Sequence, residues 1–271
     1  MSKQFEAKHA IITGGSSGIG KACAKILASL GANISIIARD ENKLSIAKAE
    51  IEKNIQSSKQ KILTVVADVS DRDRIEKGIA LCVDELGDPD ILITSAGIAI
   101  PGYFQQQSIE IFERSMAINY FGSLYAIKAA LPFMERNKKG NIVLISSGAG
   151  AIGIYGYTTY SPTKFALQGL AECLRGELKP LGINVSIVYP PDTDTPQLEL
   201  ENKTKPAATK IITGTAQLWT AENVAREIVN GIENNSFAIA PGLEMTLLVR
   251  LNSVLKPILN WYFDRIVTNN L

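Results

Sequence analysis

Six short apolar runs, separated by longer stretches with helical spacing, constrain this chain more than any other feature. They are AIIT (10–13), NISIIA (33–38), ILTVVA (62–67), DILIT (90–94), NIVLIS (141–146) and NVSIVY (184–189). None alternates strictly between apolar and polar residues, which is the pattern of strands covered on both faces. Helical patterns lie between them, near 18–30, 41–57, 71–86, 108–137 and 158–180. Such alternation predicts an α/β fold built on one doubly wound parallel sheet. A further helix near 221–234 leads into FAIA (237–240), a seventh strand. No repeat or linker interrupts the rhythm, so residues 1–271 read as one domain with a core over about 8–240.

Two segments depart from the rhythm. Residues 192–219 are long, polar and proline-containing, and follow the sixth strand; loops of that length in compact domains are commonly functional lids. Residues 243–268 form an amphipathic tail. Leu247, Leu248, Leu251, Val254, Leu255, Ile258, Leu259 and Tyr262 recur at helical spacing, with Arg250, Ser253 and Asn260 on another face. That stripe suits either packing on protein or contact with a lipid surface. Arg250, Lys256 and Pro257 interrupt it, so it does not read as a membrane span.

Composition narrows the function classes. A net charge of +1 gives no reason to expect nucleic acid. The single histidine, His9, precedes the first strand and excludes histidine-based triads and histidine metal sites; no metal is expected. Cys23, Cys82 and Cys173 fall in separate helical stretches without paired spacing and read as small buried thiols in a reducing compartment. No apolar leader precedes the first strand, so the expected location is cytoplasmic, peripherally membrane-associated if the tail meets lipid.

TGGSSGIG (13–20) directly follows the first strand and opens the first helix. Gly14 allows a tight turn, Gly18 lets the backbone approach a pyrophosphate, and Gly20 permits close helix–strand packing. The helix N-terminus beyond supplies free N–H groups to phosphate. At the end of the second strand an NAD site would carry a carboxylate for the ribose 2′-hydroxyl. Here Ala38 is followed by Arg39 and Lys43, two cations suited to a 2′-phosphate, with Ser16 and Ser17 able to add hydroxyls. Asp40 competes as a ribose acceptor unless it simply starts the next helix. The residues point to NADP(H). Asp68, in the ADV ending the third strand, can accept from the adenine amino group.

Together with SAG (95–97), Asn119, Ser146–Ser147, YSPTK (160–164) and YPPDTDTP (189–196), this loop makes the chain resemble the short-chain dehydrogenase/reductase family over roughly residues 8–240. The resemblance implies a seven-stranded parallel Rossmann sheet, a homo-oligomer and a catalytic tetrad of Asn119, Ser147, Tyr160 and Lys164. Tyr160 and Lys164 are one helical turn apart, and the ammonium would lower the phenol's pKa. In the reductive direction Tyr160 would donate a proton to the carbonyl oxygen. Pro162 belongs near the start of that helix. Ser147 would hydrogen-bond the substrate oxygen, with Ser146 as its rival and otherwise part of the nicotinamide wall. Asn119 would hold a water that carries protons to Lys164. Ile19, Val69, Ala96, Gly97, Pro190 and Thr193 complete the implied cofactor contacts. Ser95 and Pro191 stand where the family usually has Asn and Gly.

PPDTDTP followed by Glu201, Asn202, Lys205 and Pro206 is more specific, and resembles the 3-ketodihydrosphingosine reductases within that family. The implied activity is NADPH-dependent reduction of a long-chain sphingoid ketone at C3. The lid and the tail would form an apolar channel, with Asp192 or Asp194 meeting the substrate ammonium. Reduction of another lipid-like ketone, or a silent dinucleotide-binding regulator, are the alternatives.

Overall fold

A computed structural model describes residues 3–214 and 217–269 of the chain. The first half alternates as β1 (His9–Thr13), α1 (Gly18–Ser29), β2 (Asn33–Ala38), α2 (Glu41–Glu52), β3 (Ile62–Val66), α3 (Arg72–Leu86) and β4 (Ile91–Thr94). Asp40 and Asp71 start α2 and α3 by accepting hydrogen bonds from the backbone N–H groups of Lys43 and Arg74. The second half continues with α4 (Ile109–Met116), a π-helical turn at Ala117–Phe121, α5 (Gly122–Asn137), β5 (Gly140–Ile145), α6 (Ser161–Leu178) and β6 (Ile183–Val188). Pro162 lies in the first turn of α6, where no backbone N–H is needed.

Beyond β6 come β7 (Thr193–Asp194), α7 (Pro196–Thr204), α8 (Ala207–Thr213) and β8 (Trp219–Thr220), then α9 (Ala221–Glu233), β9 (Ala238–Ile239), α10 (Gly242–Arg250) and α11 (Asn252–Asn269). The segment 192–219, which reads as a loop, thus carries two short helices between paired two-residue strands. Thr195 caps α7 by accepting from Leu198 N–H, and Pro196 starts it. Residues 215–216 of this segment lie outside the described residues. The tail turns at Leu251 and is two helices.

The main sheet runs β3-β2-β1-β4-β5-β6-β9, every pair parallel, so FAIA does supply a seventh strand. Neighbouring strand residues face opposite sides, and both sides are buried. Ile12, Ile34 and Ile36 pack with Leu27 and Ile228 on one face. Ile11, Ile37 and Leu92 pack with Ile127 and Leu167 on the other. Strand order reverses between β1 and β4, which opens a crevice at the carboxyl edge.

Two expectations change. Cys23 and Cys82 are buried, but Cys173 is exposed, because it falls on the outer face of α6. His9 belongs to β1 itself, buried between the Gly87 carbonyl (2.7 Å) and the Ser35 hydroxyl (2.8 Å).

At the opposite edge of the sheet, Asp90 accepts from His9 N–H (3.1 Å) and pairs with Lys8 and Lys139, each at 3.0 Å. Burial raises its pKa, but these contacts outweigh burial and hold it below the ordinary aspartate value. A depressed carboxylate stabilises the fold above the unfolded pKa of about 3.9, and that contribution is lost as pH falls through the lower folded value. Asp90→Asn is therefore expected to lower the urea midpoint at pH 7. Below about pH 4 its midpoint should fall less steeply than the wild type's.

Candidate active site

Gly14 has φ +71°, and a Cβ there would stand 2.7 Å from Ala96 N, so the first loop and the loop after β4 touch through bare backbone. A Cβ on Gly15 would meet Ile36 of β2 at 2.5 Å, and one on Gly20 would meet the Gly14 carbonyl at 2.5 Å. Gly20 therefore closes the loop on itself, while Gly15, which the sequence motif did not single out, brings it against the strand. Ser17 precedes α1 in extended conformation with its hydroxyl unused for capping. The first N–H groups of α1 are left to a ligand, as a pyrophosphate requires. Ser16, Gly18 and Ile19 are half-buried beside them.

Asp40 is engaged in capping α2 through Lys43 N–H at 3.0 Å, so it starts a helix. Arg39 is half-exposed and only loosely paired, 3.7 Å from Asp68; Lys43 is exposed. Both cations are thus open to a 2′-phosphate. Asp68 already accepts from Ser70 N–H and hydroxyl at 2.9 and 2.7 Å. Val69 is buried, with its side chain and carbonyl against Gly122. A Cβ on Gly97 would come 3.3 Å from Asn119 Oδ1 and 3.6 Å from Lys164 Nζ. The glycine cradle, the free helix terminus and the open cations fit NADP(H).

Tyr160, the residue before α6, is buried, as are Lys164 and Asn119. Lys164 Nζ donates to the Ile145 carbonyl (2.9 Å) and lies 5.5 Å from the centre of the Tyr160 ring. Burial lowers its pKa to about 8, against the pull of Glu201. Burial, then the Glu201 charge, push the Tyr160 phenol above its ordinary value, while hydrogen bonding with Ser147 and Gln197 pulls the other way. In the chain by itself burial and the Glu201 charge dominate the phenol, and the expected lowering by Lys164 is not found.

The two serines point differently. Ser146 Oγ donates to the Lys164 carbonyl at 3.0 Å, which ties β5 to α6. Ser147 accepts from Ala149 N–H at 3.1 Å and meets Tyr160. Asn119 sits in the π-helical turn and is fully buried. Its Oδ1 accepts from Ile98 N–H (2.8 Å), and its Nδ2 donates to the Ile98 carbonyl and to Thr163 Oγ1, each at 2.9 Å. Both amide hydrogens are engaged, so only Oδ1 retains a lone pair for water. Thr163 passes the link on by donating to the Tyr160 carbonyl at 2.7 Å.

Ser147, Tyr160, Pro190 and Thr193 border a cavity of about 440 Å³. Ile152, Ile154, Leu198 and Ile212 wall one part, and Met245, Leu248, Leu255, Leu259 and Phe263 of α10 and α11 another. The tail stripe thus splits. Leu248 is buried, whereas Val254 (64%) and Ile258 (57%) remain exposed, as does Trp261 (59%), which is not part of the stripe. Asp192 lines the cavity but is paired with Lys205, whose Nζ is 3.1 Å away and whose side chain is 1% exposed. Asp194 is exposed and does not line it. Tyr157, Gln197 and Glu201 also reach the cavity. No motif singles out Tyr157 or Gln197, and nothing in the sequence brings Glu201 to Tyr157, 44 positions away.

The short chain dehydrogenase family model matches residues 8–206, and the chain belongs to that family. Two similar relatives narrow the class. The 3-dehydrosphinganine reductase of Danio rerio is 42% identical over 256 residues, covering 94% of this chain and 77% of that protein. The 3-ketodihydrosphingosine reductase of Dictyostelium discoideum is 42% identical over 275 residues, covering 96% and 82%. The crystal structure of levodione reductase shares the fold at a TM-score of 0.80 and 24% identity, covering 87% of this chain and 96% of that one.

The serines separate experimentally. Ser147→Ala is expected to lower kcat by about 100- to 1,000-fold, the range for losing one oxyanion donor, and to lower the thermal midpoint modestly because the hydrogen bond from Ala149 N–H is lost. Ser146→Ala should lower the midpoint, because a buried hydrogen bond is lost. Paired steady-state kinetics and thermal unfolding of both variants measure this.

Proposed function

We propose that this chain reduces the C3 ketone of 3-ketodihydrosphingosine to dihydrosphingosine, with NADPH as its cofactor. The observation that carries this reading is the cavity running from Tyr160 and Ser147 between α7–α8 and α10–α11, apolar along most of its length. The names of the 42%-identical relatives support it.

Gly14, Ser16, Ser17, Gly18, Ile19 and Gly20 would hold the pyrophosphate, and Arg39 and Lys43 the 2′-phosphate. Asp68, Val69, Ala96 and Gly97 would line the adenosine side, and Ser146, Pro190 and Thr193 the nicotinamide side. When bound, the cofactor supplies a hydride to the carbonyl carbon. Ser147 donates a hydrogen bond to the carbonyl oxygen and stabilises the charge that develops there. Tyr160 gives that oxygen its proton. A phenol held above its ordinary pKa stays protonated until it is needed, which suits a reductase. Lys164, with a pKa of about 8, remains mostly charged at neutral pH and can return a proton to the phenolate. Asn119 and Thr163 hold the loop after β4 and the start of α6 in register for this transfer.

NADPH oxidation with the sphingoid ketone tests the reading. Wild type is expected to turn over, and Tyr160→Phe to lose about 100- to 10,000-fold in kcat while still binding NADPH. Turnover restricted to short polar ketones would overturn the substrate, and near-normal turnover by Tyr160→Phe would overturn the mechanism.

Among the described residues no helix is long and apolar enough to cross a membrane. We propose that Val254, Ile258 and Trp261 on α11 instead touch a lipid surface beside the cavity, where a long-chain ketone would partition. The family resemblance also carries self-association as a homo-oligomer. Replacing these three exposed residues by Glu is expected to abolish sedimentation with phosphatidylcholine vesicles and leave the thermal midpoint unchanged. Failure of the wild-type protein to sediment would refute the contact.

A further inference from the structure

Glu201 is a buried carboxylate, 6% exposed, on the last turn of α7, and it lines the cavity. Its Oε2 accepts from the Tyr157 hydroxyl at 2.8 Å and its Oε1 from Gln197 Nε2 at 2.9 Å. Both donors are neutral. No described lysine or arginine forms an ion pair with it, since the nearby Lys205 is paired with Asp192. Asp192 and Lys205 cancel, which leaves Glu201 as the buried unpaired charge of the cavity, while Glu244, the other unpaired carboxylate of the lining, is exposed to solvent. A buried carboxylate is retained at a cost unless a cation meets it. Each carboxylate oxygen still has a lone pair to offer.

Its position selects the cation. Gln197 donates to Glu201 and lies close enough to Tyr160 to pull its pKa down, Tyr157 donates to Glu201, and the rings of Tyr157 and Tyr160 lie 5.5 Å apart between centres. One side chain therefore separates the carboxylate from the phenol. In a 2-amino-3-ketone the nitrogen sits on the carbon next to the carbonyl, so the ammonium and the ketone oxygen occupy adjoining places. We propose that Glu201 receives the C2 ammonium of the substrate while the ketone oxygen lies against Ser147 and Tyr160. Glu201 thereby selects 2-amino ketones over uncharged ones. This rests on the sphingoid-ketone reading and adds the residue that makes the choice. Burial holds the Glu201 pKa above the ordinary glutamate value, and an arriving ammonium reverses that by favouring the carboxylate.

The full chain with NADPH is assayed on three ketones of equal chain length: the 2-amino ketone, its N-acetyl derivative, and the ketone lacking nitrogen. Wild type is expected to favour the amine over both others by about 10- to 100-fold in kcat/KM, as a buried charge-assisted contact implies. In Glu201→Gln that preference should shrink to within about threefold, with Glu201→Asp between the two. Thermal midpoint and NADPH affinity report whether the variants fold. An undiminished preference in folded Glu201→Gln overturns the assignment. So does a wild type that reduces the amine and the nitrogen-free ketone equally well, a result that needs no variant to fold. Failure to reduce any long-chain ketone would instead overturn the substrate reading itself.

Discussion

Parallel strands can be joined only by crossovers, and that single geometric requirement arranges everything else in this protein. Helices return along both faces of the sheet, so β1, β2, β3, β4, β5 and β6 all end at one edge. Thr13, Ala38, Val66, Thr94, Ile145 and Val188 close those strands, and the residues of the proposed site follow within a few positions or pack against them. The bare-backbone contact of Gly14 with Ala96 lies where the strand order reverses, and any side chain on Gly14 would pry the two loops apart.

Rigidity at this edge comes from buried polar groups that are almost entirely matched. Lys164 is clasped by the Ile145 carbonyl, Ser146 holds the backbone of Lys164, and Asn119 joins Ile98 to Thr163. Each bond links an element that carries a site residue to a neighbour that cannot move independently. A buried polar group left unmatched costs about 1–3 kcal/mol, so the set favours one arrangement. Among the described residues Ser161 Oγ, beside Tyr160, has no hydrogen-bond partner. The Glu201 carboxylate is hydrogen-bonded but has no ion-pair partner, and it stands where a charged substrate would supply one.

The strands and the loop at 13–20 were legible because they depend on local pattern: uninterrupted apolar runs for a sheet covered on both faces, and glycines where positive φ is needed. Arg39, Lys43 and Asp40 were also readable, since helix capping by Asp40 is set within three residues. The two-helix fold of 196–213 was obscured by its polarity and its prolines, which mark helix starts here as readily as loops. The exposure of Cys173 and the turn at Leu251 were decided by how helices seat on the body of the domain.

Sequence alone determined the doubly wound parallel sheet and the glycine-rich turn into α1, because both are read along one strand–loop–helix unit at a time; the tetrad of Asn119, Ser147, Tyr160 and Lys164 is implied by family resemblance and belongs to the proposal. Tertiary structure decided which serine faces the phenol, that burial raises the pKa of Tyr160, and that Asp192 is neutralised by Lys205. It also decided that Glu201 lies beside Tyr157. Charge and hydrogen-bond energies depend on distance and burial in space, and 44 positions of chain separate residues that end up 2.8 Å apart.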